Sequence, residues 1–215
     1  MDNLINYSYI TEYLRNIIPD GEGIFSGLEK YAEENHIPII FKEVKQFFKV
    51  IIPMIKPGKV LEIGTAIGYS ALLFASLYEK AYITTVEIDE KMFEEAALNI
   101  AKSEHKDRIS LINEDAANIL PYLKTEYDLI FIDAAKGQYY DYYIRSKKLL
   151  KKGGYIIFDN VLYKGLPANE ALVTHKHRTI ANNLDRFNRA ILNDSEMTAS
   201  LIPIGDGLLI ARKDK

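Results

Sequence analysis

Cysteine is absent from this chain of 215 residues. That one absence removes disulfides, zinc–thiolate centres and thiol catalysis together. No apolar run is long enough to cross a bilayer, so no membrane is expected as a partner. The opening MDNLINYSYI has no basic stretch followed by an apolar core, and a secretory leader is not expected. Internal repeats, low-complexity tracts and Pro/Gly-rich linkers are missing too. Strong charge of either sign is also lacking: the net charge of −3 argues against general coating of nucleic acid, while leaving room for a local basic patch. These absences favour the cytoplasm. What is present is a 48% hydrophobic fraction, enough for a large core, and a 27% charged fraction ordinary for a soluble protein. The length suits a single α/β domain over 1–215.

The order of elements supports that class. Leu4, Tyr7, Ile10, Leu14 and Ile17 recur at helical spacing, as do Val44, Phe47, Phe48 and Ile51. The spacing predicts two or three N-terminal helices within 1–56, broken over 35–41 around Pro38. From 57 onward short apolar runs (59–63, 82–86, 109–112, 128–132, 155–158) alternate with helical stretches (69–79, 90–103, 115–123, 138–151). This is the pattern of right-handed βαβ units and a mostly parallel sheet. A further helix is predicted over 176–193, with Ile180, Leu184, Phe187 and Ile191 on one face. Runs at 198–204 and 208–211, joined by Gly205-Asp206-Gly207, predict a C-terminal antiparallel hairpin. In open sheets of this kind ligands bind beyond the carboxyl ends of the strands.

The strand ends carry the chemistry-bearing residues. The first strand runs into Gly64-Thr65-Ala66-Ile67-Gly68, a G-x-x-x-G turn. Missing Cβ atoms there let a ligand approach the backbone. The spacing lacks the middle glycine of a dinucleotide fingerprint, which counts against a nicotinamide-dependent oxidoreductase. Glu62, two residues before Gly64, suits a cationic ligand end or loop amides. Glu87 ends the second strand and is placed either to accept ribose hydroxyls or to sit solvated. Asp115 suits an adenine amino group, a helix cap, or both. The fourth and fifth apolar strands emerge directly into Asp133 and into Asp159-Asn160. Adjacent strands would gather three oxygen donors fit for a hard cation such as Mg²⁺ or Ca²⁺; the alternative is a helix cap and a turn. Lys136 is a candidate general base near such a cation, or an exposed loop lysine.

Taken together, VLEIGTAIGYSA, the acidic end of the second strand, IFIDAAKGQY and GGYIIFDNVLYKG resemble the cation-dependent, catechol-type O-methyltransferases over roughly residues 30–212. Within that family YAEENHIPII, DNVLYKGL and IPIGDGLLIARK are similar to the bacterial tRNA 5-hydroxyuridine methyltransferases. The resemblance implies a Rossmann-like class I methyltransferase with a seven-stranded sheet, S-adenosylmethionine as cofactor, and a homodimer. It places Glu62, Gly64 and Ser70 along the cofactor, Glu87 at the ribose, and Asp115 with Ala116 at the adenine. It assigns Mg²⁺ to Asp133, Asp159 and Asn160, puts Asp133 at the cofactor as well, and makes Lys136 the catalytic lysine. Ile40 stands where that subfamily has a Met near the cofactor. A substrate that offers two neighbouring oxygens is implied, which both catechols and 5-hydroxyuridine do. Lys164 and a helical stripe of Arg178, Asn182, Arg186 and Arg189 suit tRNA phosphates, with nearby Tyr residues to stack on an extruded base; the plain alternative is a solvated basic face. A non-catalytic tRNA-binding module would leave the strand-end cluster unexplained.

Overall fold

The computed structural model describes residues 5–215, so Leu4, the first member of the N-terminal helical pattern, lies outside the described residues. Three helices come first: α1 (Ser8–Ile17), α2 (Ile24–Glu34) and α3 (Lys42–Ile55). The predicted break over 35–41 is non-helical. Seven strands follow, β1 (Lys59–Ile63), β2 (Tyr82–Glu87), β3 (Ile109–Asn113), β4 (Tyr127–Ile132), β5 (Leu150–Phe158), β6 (Met197–Ile202) and β7 (Leu208–Lys213). Between them lie α4 (Tyr69–Leu77), α5 (Glu90–Ala101), α6 (Ala116–Ile119), α7 (Tyr139–Lys147) and α8 (Arg178–Leu192). They form one sheet in the order β3-β2-β1-β4-β5-β7-β6. The first five strands are mutually parallel, and β7 pairs antiparallel with both β5 and β6. The α/β class and the C-terminal hairpin follow as the alternation predicts. Among the described residues no helix is long and apolar enough to cross a membrane.

Both faces of the central strands are covered, which is why they read as continuous apolar runs rather than alternating ones. Val60, Leu129, Phe131 and Ile157 point to the side of α3 and α4. Leu61, Ile63, Ile130, Ile132 and Phe158 point to the side of α7 and α8. Each layer closes on an aromatic cluster. Phe48, Phe74 and Phe131 meet edge to face at 5.1–5.4 Å, and Tyr139, Phe158 and Phe187 pack at 4.6–5.7 Å. Such pairs add to the area they bury.

Three boundaries depart from the sequence expectation. The stretch predicted as helix to 151 stops at Lys147, and β5 starts at Leu150. Gly153 at φ +80° and a register shift opposite Tyr127–Leu129 let the strand begin ahead of the Gly-Gly pair, which reads in sequence as a turn. Gly154 is required there, since a Cβ would stand 2.9 Å from the Lys151 carbonyl oxygen. The helix expected over 115–123 is one α-turn followed by a 3₁₀ turn at Leu120–Tyr122 that contains Pro121. The helix expected from 176 begins at Arg178, after a separate 3₁₀ turn, His175–His177.

Phe131 is fully buried and touches both other rings of its cluster. Phe131→Ala is expected to lower unfolding free energy by about 3–5 kcal/mol. Urea denaturation checks this, and a loss under 1 kcal/mol would show that the cluster does not carry this layer.

Candidate active site

The order of the sheet reverses between β1 and β4, and the crevice opens at their carboxyl ends. A cavity of about 660 Å³ lies there, reaching from the β2 and β3 ends across β1 and β4 to β5. On one side it is walled by Ile40, Gly64, Ser70, Glu87, Asp115 and Ala116. On the other it is walled by Asp133, Lys136, Asp159, Asn160 and Lys164. These predicted positions share one cavity. Glu62 lies beneath it, fully buried. Arg178 and Arg186 do not reach it. Arg178 is exposed on α8, and the Arg186 guanidinium sits 5.2 Å from the Tyr140 ring centre in a neighbouring groove that shares Gln138 with the cavity. The expected basic stripe is smaller than its residue count, because Arg189 is engaged by the Asp185 carboxylate at 2.9 Å.

The glycine turn is built differently from its simplest reading. Gly64 (φ +93°) is forced less by a ligand than by its neighbour strand: a Cβ there would stand 2.1 Å from the Asp133 carbonyl oxygen. The amides that follow are aimed by Glu87. Its Oε2 accepts from Thr65 N at 3.0 Å and Ala66 N at 2.8 Å, and its Oε1 accepts from Asp89 N at 2.9 Å. A carboxylate offers about four acceptor sites, so this leaves roughly one for a ligand hydroxyl. Asp115 is the N-cap of α6, accepting from Ala117 N at 2.8 Å, and it also lines the cavity. Both roles open to it in the sequence are therefore compatible.

Glu62 sits below this turn. Thr85 Oγ1 donates to its Oε2 at 2.5 Å, and Thr65 Oγ1 lies 2.5 Å from that same hydroxyl. Glu62 Oε1 is buried without a hydrogen bond, which is costly for a polar atom and fits a cationic or hydrogen-bonding ligand group. Burial, with the charges of Asp133 and Glu87, pushes its carboxyl up to about 8 against the opposing Ser70 and Thr85 hydroxyls.

At the other end Asn160 Nδ2 donates to Asp133 Oδ1 at 2.9 Å, and the Asp159 carboxylate accepts from Asn160 N at 2.7 Å. Burial and then the Asp133 charge hold Asp159 well above the usual carboxylate range. Asp133 is raised by burial, against Lys136 and Asn160. Two carboxylates in this state are short of positive charge, and their oxygen donors suit a hard divalent cation. Among the described residues no three His, Asp or Glu side chains converge on a cation position; the third donor here is the Asn160 amide. Lys136 opens a 3₁₀ turn after β4, with its Nζ 5.5 Å from the Tyr163 ring centre.

A family model described as O-methyltransferase matches residues 24–214. A caffeoyl-CoA O-methyltransferase of Populus kitakamiensis is 31% identical over 176 residues, covering 78% of this chain and 75% of the relative. Tapetum-specific methyltransferase 1 of Arabidopsis thaliana is 33% identical over 173 residues, covering 78% and 74%. The chain belongs to this O-methyltransferase family. A methyltransferase of Podospora anserina, solved with S-adenosylhomocysteine bound, superposes with a TM-score of 0.86 at 26% identity over 96% of this chain and 94% of that one. Two further cavity residues, Phe41 and Asp206, are not marked as site residues by the sequence. Only the Gly-Asp-Gly spacing signals one of them, and it reads first as a hairpin turn. Tyr163, beside Lys164, lines the cavity as one of the Tyr residues placed to stack on a base.

The raised Glu62 carboxyl has a consequence for stability. Between pH 4.5 and about 8 the folded state binds more protons than the unfolded one, so this group's contribution falls as pH rises and levels off above 8. Glu62→Gln keeps the neutral form at every pH. Its stability relative to the parent protein is expected to rise from pH 5.5 to 8, by at most about 1.4 kcal/mol per pH unit. Urea melts at both pH values measure this, and a pH-independent difference would refute it.

Proposed function

We propose that this chain transfers a methyl group from S-adenosylmethionine to a ring oxygen that has a second oxygen beside it. A divalent cation, Mg²⁺ in this reading, is held by Asp133, Asp159 and Asn160. The observation that carries the proposal is one cavity with two like-charged, cation-short carboxylates and Lys136 at one end, and a carboxylate-braced glycine turn at the other. The S-adenosylhomocysteine bound to the Podospora anserina relative supports the cofactor. Glu62, Gly64 and Ser70 border its amino-acid end, Glu87 takes a ribose hydroxyl, Asp115 and Ala116 border the adenine, and Ile40 covers it.

The cofactor supplies an electrophilic methyl on a sulfonium sulfur. The cation supplies Lewis acidity, which lowers the pKa of a nearby hydroxyl. Lys136 Nζ takes the acceptor's hydroxyl proton. The acceptor oxygen then bonds to the methyl carbon as the carbon–sulfur bond breaks. Holding both reactants in line in one cavity supplies about 7–11 kcal/mol of the barrier. A homodimer belongs to this reading: Tyr13, Ile17, Val50 and Met54 on α1 and α3 are exposed apolar surface that a second copy would cover.

For the acceptor we favour 5-hydroxyuridine in tRNA, methylated at O5 with O4 as the second oxygen. Its support is Lys164 in the cavity lining, Arg186 in the neighbouring groove and exposed Arg178 on the same helix as Arg186. A small acceptor has no use for those two arginines. The second reading is a caffeoyl-type phenol, favoured by the activities named for relatives such as that of Populus kitakamiensis.

Chelation is expected to abolish transfer, and Mg²⁺ or Mn²⁺ to restore it. Asp159→Asn should lower kcat by about 10²–10³-fold, the several kcal/mol a catalytic cation supplies, while cofactor affinity stays within about twofold. Full activity in excess EDTA would overturn the cation assignment. Hydroxylated tRNA and a catechol, offered to one preparation, separate the acceptors. Arg178→Ala with Arg186→Ala should weaken tRNA binding and flatten its salt dependence, and leave catechol turnover unchanged.

A further inference from the structure

Asp206 lies in the turn between β6 and β7 and lines the cavity on the Lys136 side. Its carbonyl anchors the turn. The Asp206 carbonyl accepts from Leu162 N and Tyr163 N, both at 3.0 Å, and the Gly207 carbonyl accepts from Val161 N at 2.9 Å. These bonds hold the segment after Asn160 in an unfavourable backbone, with Asn160 at φ +59°, Tyr163 at +23° and Lys164 at +59°. The turn is itself wedged in place. A Cβ at Gly205 would meet Val44 Cγ2 at 2.9 Å and Phe41 Cδ2 at 3.0 Å, and one at Gly207 would meet Leu162 Cγ at 2.6 Å. The Asp206 side chain therefore stands on a rigid mount.

That side chain is half-buried, and its carboxylate forms no ion pair within 4 Å among the described residues. The charges of Lys136, Lys164 and Arg15 act on it from a distance, the Lys164 main-chain N–H acts on it directly, and Asp133 and Asp159 lie on the opposite side of the balance. The ammonium groups of Lys136 and Lys164 instead flank the Tyr163 ring, at 5.5 and 5.4 Å from its centre. The acceptor end of the cavity is thus bounded by a flat aromatic ring, two lysines and one rigidly held carboxylate whose acceptor sites the Lys164 main-chain amide does not exhaust. A partly buried carboxylate is stabilised by a hydrogen-bond donor, and charge-assisted bonds of this kind are about twice as strong as neutral ones.

We propose that Asp206 reads the methyl acceptor, its carboxylate accepting a hydrogen bond from an N–H or O–H on the acceptor ring that is not the methylated hydroxyl. The ring N–H beside O4 of a uracil meets this requirement, as does an additional ring hydroxyl of a phenol. The inference rests on the transfer reaction proposed above and adds a residue that chooses among its acceptors.

Asp206→Asn tests it, because the amide keeps the size and leaves every main-chain bond of the turn in place. The acceptor KM should rise about 10–100-fold, the order expected on losing a charge-assisted hydrogen bond, with cofactor affinity and Tm unchanged. Asp206→Glu should recover part of the loss. Blocking the acceptor's N–H by N-methylation should cost the parent enzyme a similar factor and cost Asp206→Asn nothing more. An unchanged KM in Asp206→Asn, with the parent enzyme active, would overturn this inference and leave the methyltransferase reading standing. A loss accompanied by lower Tm and weaker cofactor binding would make Asp206 a structural residue and overturn it equally. A parent enzyme that neither binds nor methylates hydroxylated tRNA or a catechol would overturn both readings.

Discussion

The site depends on the parallel ladder running one residue past the end of each strand. Gly64 N donates to the Val86 carbonyl at 2.9 Å, Glu114 N to Glu87 at 3.0 Å, Asp133 N to Ile63 at 3.0 Å and Asp159 N to Ile132 at 3.0 Å. Each of these donors is the first residue beyond its strand, so four turns leave the sheet at one level and in fixed lateral order. The pressure at this level is visible at Gly64, where the Asp133 carbonyl occupies the space of a Cβ. A slip of one residue in any rung would turn its acidic side chain to the other face. The chemistry sits on strand ends because there main-chain geometry is set by the sheet and side chains are free of it.

That placement gathers negative charge. Glu62, Glu87 and Asp159 are buried, and the partly exposed Asp133 and Asp206 line the cavity. The structure disposes of these charges in three ways. Glu87 is hydrogen-bonded by three main-chain amides. Glu62 is held by two stacked threonine hydroxyls and shifted towards its neutral form. Asp133 accepts from the Asn160 side-chain amide and Asp159 from the Asn160 main-chain amide, and the two buried carboxylates have only the field of Lys136 to offset their charge. The third arrangement leaves the largest charge for a group from outside the chain to meet, beside the single unpaired oxygen of Glu62. This separates the carboxylates that shape the site from those that would hold a cation.

Much of this was legible in the sequence, for a local reason. Periodicity marks where an apolar run stops, and the residue after the stop is the residue in the site; Asp133, Asp159, Asn160 and Glu87 were readable in this way. What escaped depends on contacts distant in sequence. The start of β5 was hidden because Gly153-Gly154 signals a turn, whereas here it forms a bulge against β4. Asp206 was hidden because its position follows from β7 pairing with β5, some fifty residues earlier in the chain. Along α8 the helical spacing of the arginines is correct, but spacing does not reveal that Asp185 already holds Arg189 one turn away.

The N-terminal helices show how the cover and the chemistry are joined. Buried Lys45 of α3 pairs with Glu29 of α2 at 2.8 Å, and the same carboxylate takes the Tyr69 hydroxyl at 2.5 Å and the Gly21 amide at 2.9 Å. A buried pair of this sort contributes little net stability, because desolvation offsets its attraction. Its effect is positional: Tyr69 begins the helix that leaves the glycine turn and lines the cavity, so Glu29 registers α2 and α3 against the glycine-turn end of the site. Arg15 of α1 pairs with Glu43 and lies 4.6 Å from the Phe41 ring centre, and Phe41 packs against the turn that carries Asp206. One set of contacts thus registers the cover to the glycine turn and another registers it to the Asp206 turn. Because Ile40 and Phe41 lie between these two anchors and line the cavity, a shift of the cover would disturb both ends of the site together.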